Sequence, residues 1–225
     1  MIQKTLIASA LLLVSAIGGG NAFAANNPQD DVGVQHNRYL DCLRTGRVPV
    51  EEMLDYLVGQ CGYKPDMSMD QFRKTFNWTY DLDPSVPLVK HMDPFQTQYT
   101  AKEFDFFRRI DEINAKAGSL ENATALYERL ENEAVATLDP TSRGAAGVLA
   151  SLSVARHSLA YWTAVEGKRE VALGGRMTTA RWGWGKVLAV VGSDIAGAAI
   201  TVGLGLAPAA GAVASAASNA VGQAM

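Results

Sequence analysis

Between residues 32 and 165 the apolar positions recur three and four apart, the spacing that lines one face of an α-helix. Val32, His36, Tyr39, Leu40 and Leu43 predict a first helix ended by Gly46, and Pro49 opens a second carrying Met53, Leu54, Leu57 and Val58. Ser68 with Gln71 and Thr100 with Glu103 have capping-box spacing, in which hydroxyl and N3 side chain each satisfy a free backbone N–H. The first box starts a helix through Phe72 and Phe76, and the second starts one through Phe104, Phe107, Ile110 and Ile113, closed by Gly118. Between them, Pro84, Pro87 and Pro94 predict an irregular connection over residues 81–99. Ser119 begins a helix with Leu120, Leu126, Leu130 and Leu138 inside and acidic residues outside. A sixth helix covers residues 142–165 and carries Val148, Leu149, Leu152, Leu159 and Trp162. No stretch alternates as a half-buried strand does. The predicted fold is all-α, an irregular helical bundle.

The two ends break this pattern. Residues 1–24 read as a secretory signal: Lys4, an apolar run from Leu6 to Ile17, three glycines, then Ala22-Phe23-Ala24 ahead of cleavage before Ala25. The run falls short of the ~20 apolar residues that a bilayer span needs. At the other end, Arg176, Arg181, Trp182, Trp184 and Lys186 precede residues 195–217, where 23 positions pass without a charge. Basic and tryptophan residues ahead of an apolar stretch are the pattern of a membrane-interface collar, here Arg181, Trp182, Trp184 and Lys186. Small residues recur every fourth position, as Ala189, Ser193, Gly197, Thr201 and Gly205, then as Ala210, Ala214, Ser218 and Gly222. Each set would form a smooth strip where another backbone approaches closely. Pro208 falls between them, so the tail reads as a glycine-zipper helical hairpin. The organisation is thus a signal peptide (1–24), a helical domain (25–175) and a Gly/Ala-rich apolar hairpin (176–225).

Asp194 is the one acid of that tail, and a central Asp costs about 2.5–3.5 kcal/mol on insertion scales. Two readings of the hairpin therefore stand side by side: association with a bilayer, or close packing on the body or on a second copy. The 225-residue chain is 48% hydrophobic, which excludes a disordered protein, and its net charge of -3 argues against nucleic acid as the main partner. In an exported chain the two cysteines, Cys42 and Cys61, read as a disulfide, with two buried thiols as the alternative. The bridge needs the chain to turn back near Gly59–Gly62.

Candidate chemistry is sparse. His36, His91 and His157 belong to no zinc-ligand spacing, and no nucleophile elbow, phosphate loop or dinucleotide fingerprint occurs. No catalytic residue, metal site, cofactor or small-molecule ligand is identified, and Glu51-Glu52, Asp111-Glu112 and Glu128/Glu131 read as solvated. His36 is the exception, because it falls on the apolar face of its helix. Either it is a satisfied core histidine or, with Asn37 and Asp194, it marks a polar site.

Val32-Gly33-Val34-Gln35-His36-Asn37, Ala160-Tyr161-Trp162 and the Trp184–Gly197 run with its Asp194 resemble a group of uncharacterised bacterial exported proteins. Those proteins pair a helical body bearing an early His-Asn with a glycine-zipper C-terminus. Similar tails occur in bacteriocin-like and pore-forming peptides, so the resemblance implies a membrane-active role and no catalytic one. Two functions remain as expectations. One is an exported interaction protein whose hairpin meets membrane lipid or its own copies. The other is a periplasmic enzyme or ligand-binding module centred on His36.

Overall fold

The computed structural model describes residues 26–172 and 183–224. The signal segment (1–24) and Arg176, Arg181 and Trp182 lie outside them. Helix α1 (Asp30–Gly46) starts with Asp30 and Asp31, whose charges suit the positive end of the helix dipole. Arg47 closes it in the left-handed conformation at φ 51°. Gly46 is thus the last helical residue, and a Cβ there would fall 2.5 Å from the Tyr56 hydroxyl. A 3₁₀ turn (Val50–Glu52) leads into α2 (Met53–Gly59), after which the backbone doubles back. The N–H groups of Gln60 and Cys61 both reach the Tyr56 carbonyl, and Gly62 takes φ 77°. That reversal brings Cys61 to Cys42, and the two are bonded.

Helix α3 (Met69–Phe76) and helix α5 (Ala101–Lys116) both open on complete capping boxes, at Ser68/Gln71 and Thr100/Glu103. Between them the expectation of an irregular connection fails. Residues 81–99 contain helix α4 (Leu88–Met92) and a 3₁₀ turn (Asp93–Gln98). Pro87 and Pro94 sit at helix starts, where a missing N–H costs nothing, so they initiate instead of interrupting. The Asp111 carboxylate, from α5, accepts the first free N–H groups of α4, from Leu88 at 2.8 Å and Val89 at 3.0 Å.

Helix α6 (Leu120–Thr137) is capped by Ser119 and buries Ala123, Tyr127, Leu130, Glu131 and Ala134. Leu120 and Leu126 are only partly buried. Helix α7 (Arg143–Ala172) has 30 residues and is enclosed over most of residues 144–159. Helix α8 (Trp184–Gly203) and helix α9 (Ala210–Ala224) form the C-terminal hairpin, joined through a 3₁₀ turn (Ala207–Ala209). Nine α-helices and no strand occur among the described residues.

The hairpin runs through the middle of this bundle. On one side α8 packs with α4, α5 and α7, and Val190, Val191 and Ile195 belong to one cluster with Phe106, Phe107, Ile110, Tyr127, Leu152 and Trp162. On the other, α9 offers Ala212, Val213 and Ala216 to Tyr39, Leu43, Met53, Leu57, Phe72 and Phe76. A third, small cluster joins α7, α8 and α9 through Ala150, Val154, Ala198, Val202, Ala210 and Ala214. Residues 183–224 therefore share their core with residues 26–172.

Small residues set how closely these helices approach. A Cβ on Gly197 would lie 2.8 Å from the Ala214 Cα, so α8 and α9 touch backbone to backbone. Ser193 and Thr201 turn their hydroxyls onto their own helix, to the carbonyls of Ala189 (3.2 Å) and Gly197 (2.7 Å), which smooths the strip. Ser218 accepts from the Trp162 indole at 3.3 Å, while Gly222 sits at the partly exposed end of α9. Gly205 departs from the predicted strip. It lies beyond α8 at φ 79°, where its N–H bonds to the Val202 carbonyl and that of Leu206 to the Thr201 carbonyl. This is a Schellman closure, so the glycine serves a left-handed backbone and not a helix contact.

Candidate functional site

His36 is buried because α1 turns the Val32/His36/Tyr39/Leu43 face inward, and two glycines let its neighbours close on it. A Cβ on Gly33 would strike the His157 ring at 2.4 Å and the Ser153 carbonyl at 2.6 Å, so α1 crosses α7 there. A Cβ on Gly211 would come within 2.9 Å of the Val32 carbonyl and 3.2 Å of the His36 nitrogen, so α9 crosses α1 beside it. At this junction the Nε2 of His36 lies 3.3 Å from Oδ2 of Asp194 on α8, and both side chains are 0% exposed. Ser158 of α7 donates its hydroxyl to the same Oδ2 and is also wholly buried.

The proton positions follow from the bonds. Asn37 donates its Nδ2–H to the His157 carbonyl at 2.9 Å, which leaves its Oδ1 to accept from His36 Nδ1 at 2.9 Å. With a proton fixed on Nδ1, a neutral imidazole would set the lone pair of Nε2 against an ionised carboxylate. One further proton between Nε2 and Oδ2 removes that conflict, either as imidazolium and carboxylate or as imidazole and carboxylic acid. The contact has ion-pair distance without hydrogen-bond alignment: Nε2 and the other Asp194 oxygen, Oδ1, are buried with no hydrogen-bond partner. An unsatisfied buried group of this kind costs about 1–3 kcal/mol, more when charged. The pair is held, but not tightly.

A second network begins at the two residues of α7 that precede Ser158. Arg156 bonds Glu131 of α6 at 2.9 Å and also Asp30, while His157 lies 3.1 Å from Asp30. Asn27 donates to Glu131 at 2.6 Å, tying the first described residues to the bundle. Glu131 is wholly buried, which corrects the reading of Glu128/Glu131 as a solvated pair. Its partner Arg156 lies on the next helix and leaves no trace in the local pattern. Burial pushes the Asp30 carboxyl up, but the His157 hydrogen bond and the Arg156 charge outweigh it and hold the group below the ordinary range. Burial also lowers His157, against the pull of Asp30.

Asp111 likewise departs from the solvated reading. It caps α4, and burial raises its carboxyl despite the Val89 and Leu88 N–H bonds. It lies in a cleft of about 470 Å³ with Asp83, Pro87, His91, Leu188 and Ser193. A second cleft, about 580 Å³, lies across His91 among Trp78, Leu82, Phe95, Ile200 and Leu204.

Of the predicted residues, His36, Asn37 and Asp194 are brought together, and Cys42 and Cys61 are bridged. Trp184, 44% exposed, and Lys186 stand at the solvent-facing start of α8. Gly197 and Ala214 face each other, while Gly205 does not join them. Ser158, Asp30, Glu131, Arg156 and His157 were not anticipated. The Arg156-His157-Ser158 run, inside residues 144–165 that otherwise have no charge, is their one sequence signal. No cluster of three or more His, Cys, Asp or Glu side chains suited to a metal occurs among the described residues. The Ser158 hydroxyl serves the aspartate and not the histidine, so the cluster lacks the order of a nucleophilic triad. No family model, no curated protein and no solved structure matches the chain, so the site stands on its geometry.

Proposed function

We propose that this is an exported, non-enzymatic bacterial protein that carries a glycine-zipper hairpin inside its own helical body and acts by presenting that hairpin to a lipid bilayer, in a bacteriocin-like way. The observation that carries the reading is the composition and placement of α8. It is the described helix long and apolar enough to cross a membrane, and most of its apolar stretch is buried inside the protein. Its one acid, Asp194, is paired with His36 and not left against apolar surface. Trp184 and Lys186 at its exposed start are the residue types that settle at a bilayer interface. The Cys42–Cys61 bond fits an oxidising compartment and hence the export signal read in residues 1–24.

Flotation of the mature chain, residues 25–225, with phosphatidylcholine–phosphatidylglycerol vesicles at neutral and at acid pH tests this. Protein rising with the vesicles, with release of an entrapped dye, supports the reading. Failure to float together with formation of defined oligomers would move the hairpin's role to self-association. Failure of both ends the proposal. A second reading, a periplasmic enzyme or ligand-binding module around His36, draws on the meeting of His36, Asn37 and Asp194. It is the weaker, because all the groups at the centre are closed to substrate: His36, Asp194 and Ser158 have no exposed surface.

A further inference from the structure

We propose that the His36–Asp194 pair is a proton-operated latch that holds α8 within the body, and that acid opens it. This rests on the reading of the hairpin as the membrane-seeking element, and it names what controls that element. Four helices meet at the pair, with His36 and Asn37 from α1, Ser158 from α7, Asp194 from α8 and the Gly211 crossing of α9. Asp194 is the one ionisable residue in the buried part of α8, so this is where a proton can decide the fit of the helix.

The proton count gives the direction. With one proton between Nε2 and Oδ2 the pair has no net charge and can stay buried. A second proton, taken up from solvent onto the Asp194 carboxylate, leaves an imidazolium facing a carboxylic acid. The junction then holds one uncompensated positive charge beside apolar and small side chains, and separation of α8 from α1 and α7 relieves it. The same proton neutralises Asp194, which removes the charge that most opposes entry of α8 into a bilayer. Release and insertion are thereby driven by one event. The unpartnered Oδ1 is the acceptor available for that proton.

The neighbouring charges fix what must be controlled for. α7 brings Arg156 and His157, α1 brings Asp30 and α6 brings Glu131, all joined in the second network. α9 has no ionisable residue, and α8 has only Lys186 besides Asp194, at its exposed end. α4 and α5, which also pack on α8, bring His91 and Asp111 to the cleft beside Ser193. All these groups are retained in every variant of the pair, so differences between variants isolate the latch.

The test is hydrogen exchange of the α8 amides in the mature protein without lipid, between about pH 7.5 and about pH 4.5, corrected for intrinsic rates. A one-proton linkage makes opening rise up to roughly tenfold per pH unit in the wild type. The double variant His36→Gln/Asp194→Asn, which has two amides able to pair, should lose that added slope. In His36→Gln alone the sign should reverse, because protonation then removes an isolated buried charge and acid closes α8. Should that variant be unfolded at neutral pH, recovery of its helical circular dichroism on acidification gives the same reversal. An unchanged slope in the double variant, or acid opening in His36→Gln equal to the wild type, overturns the latch. The vesicle arm separates the two claims. Acid opening without flotation keeps the latch and defeats the membrane reading. Equal flotation at both pH values with no change in exchange defeats the latch and keeps the membrane reading.

Discussion

Around α2 and α3 the core is built from rings. Tyr39, Tyr63, Phe72 and Phe76 follow one another at centroid distances of 5.8, 5.4 and 5.1 Å, and the Cys42–Cys61 bond fastens the segment. Between α8 and α9 the core is built from small side chains. Gly197 lies against Ala214, while Ala198, Val202 and Ala210 share one small cluster, and the Ser193 and Thr201 hydroxyls are folded onto their own helix. The ring cluster gains its stability from large anchors, each burying much area in one pose. The α8–α9 contact gains it from many small contacts of a kind that another smooth apolar surface could supply, whether helix or lipid tail. A core of the first kind is hard to leave. One of the second kind can change partners, and that property is what the proposed function uses.

The difference can be broken from either side. The largest effect should come from Phe72→Ala, which empties a fully buried ring site and should cost about 3–5 kcal/mol in urea unfolding. Replacing Cys42 and Cys61 by serine opens a loop with sequence separation 19 and should cost about 3 kcal/mol on the same assay. On the small-residue side, Gly197→Ala pushes a methyl to within 2.8 Å of the Ala214 Cα and should cost about 1–3 kcal/mol. Unlike the ring variant, it should raise exchange in α8 and α9 before α3 is affected. Ser68→Ala removes half of an exposed capping box and should cost about 1 kcal/mol, confined to α3.

The smallest effect concerns pH. Burial lowers His157, so the folded protein binds its proton less readily than the unfolded chain does. Its contribution is therefore nil well above the unfolded value of about 6.5 and becomes a growing penalty as pH falls through and below it. His157→Gln should shallow the acid loss of stability without touching neutral stability through this route. An unchanged acid limb would show that His157 does not sense the burial described.

What could be read along the chain was whatever is local. The caps at Ser68, Thr100 and Ser119 act within three residues, and all three start helices where their spacing predicts. The cap of α4 is a carboxylate from α5, so residues 81–99 looked irregular when only their prolines were visible. Four-residue spacing found Gly197 and Ala214 but also swept in Gly205, since periodicity carries no information about a positive φ. His36 and Asp194 each stood out as a polar residue on an apolar face. That they meet follows from Gly33 and Gly211, whose crossings are properties of the packed bundle. Glu131 reads as solvated along the chain because an acid beside other acids on a helix normally faces water, and its partner Arg156 lies on another helix.

The central claim is that the hairpin is sheathed in solution and leaves the body at a membrane. Hydrogen exchange of the mature protein bound to phosphatidylcholine–phosphatidylglycerol vesicles at acid pH, where the latch is open, tests it most directly. The account predicts that α8 amides stay slow, since an inserted helix keeps its backbone bonds, while amides of α1 and α7 become fast once α8 has gone. Equal protection of α1, α7 and α8 on and off the vesicles would contradict it.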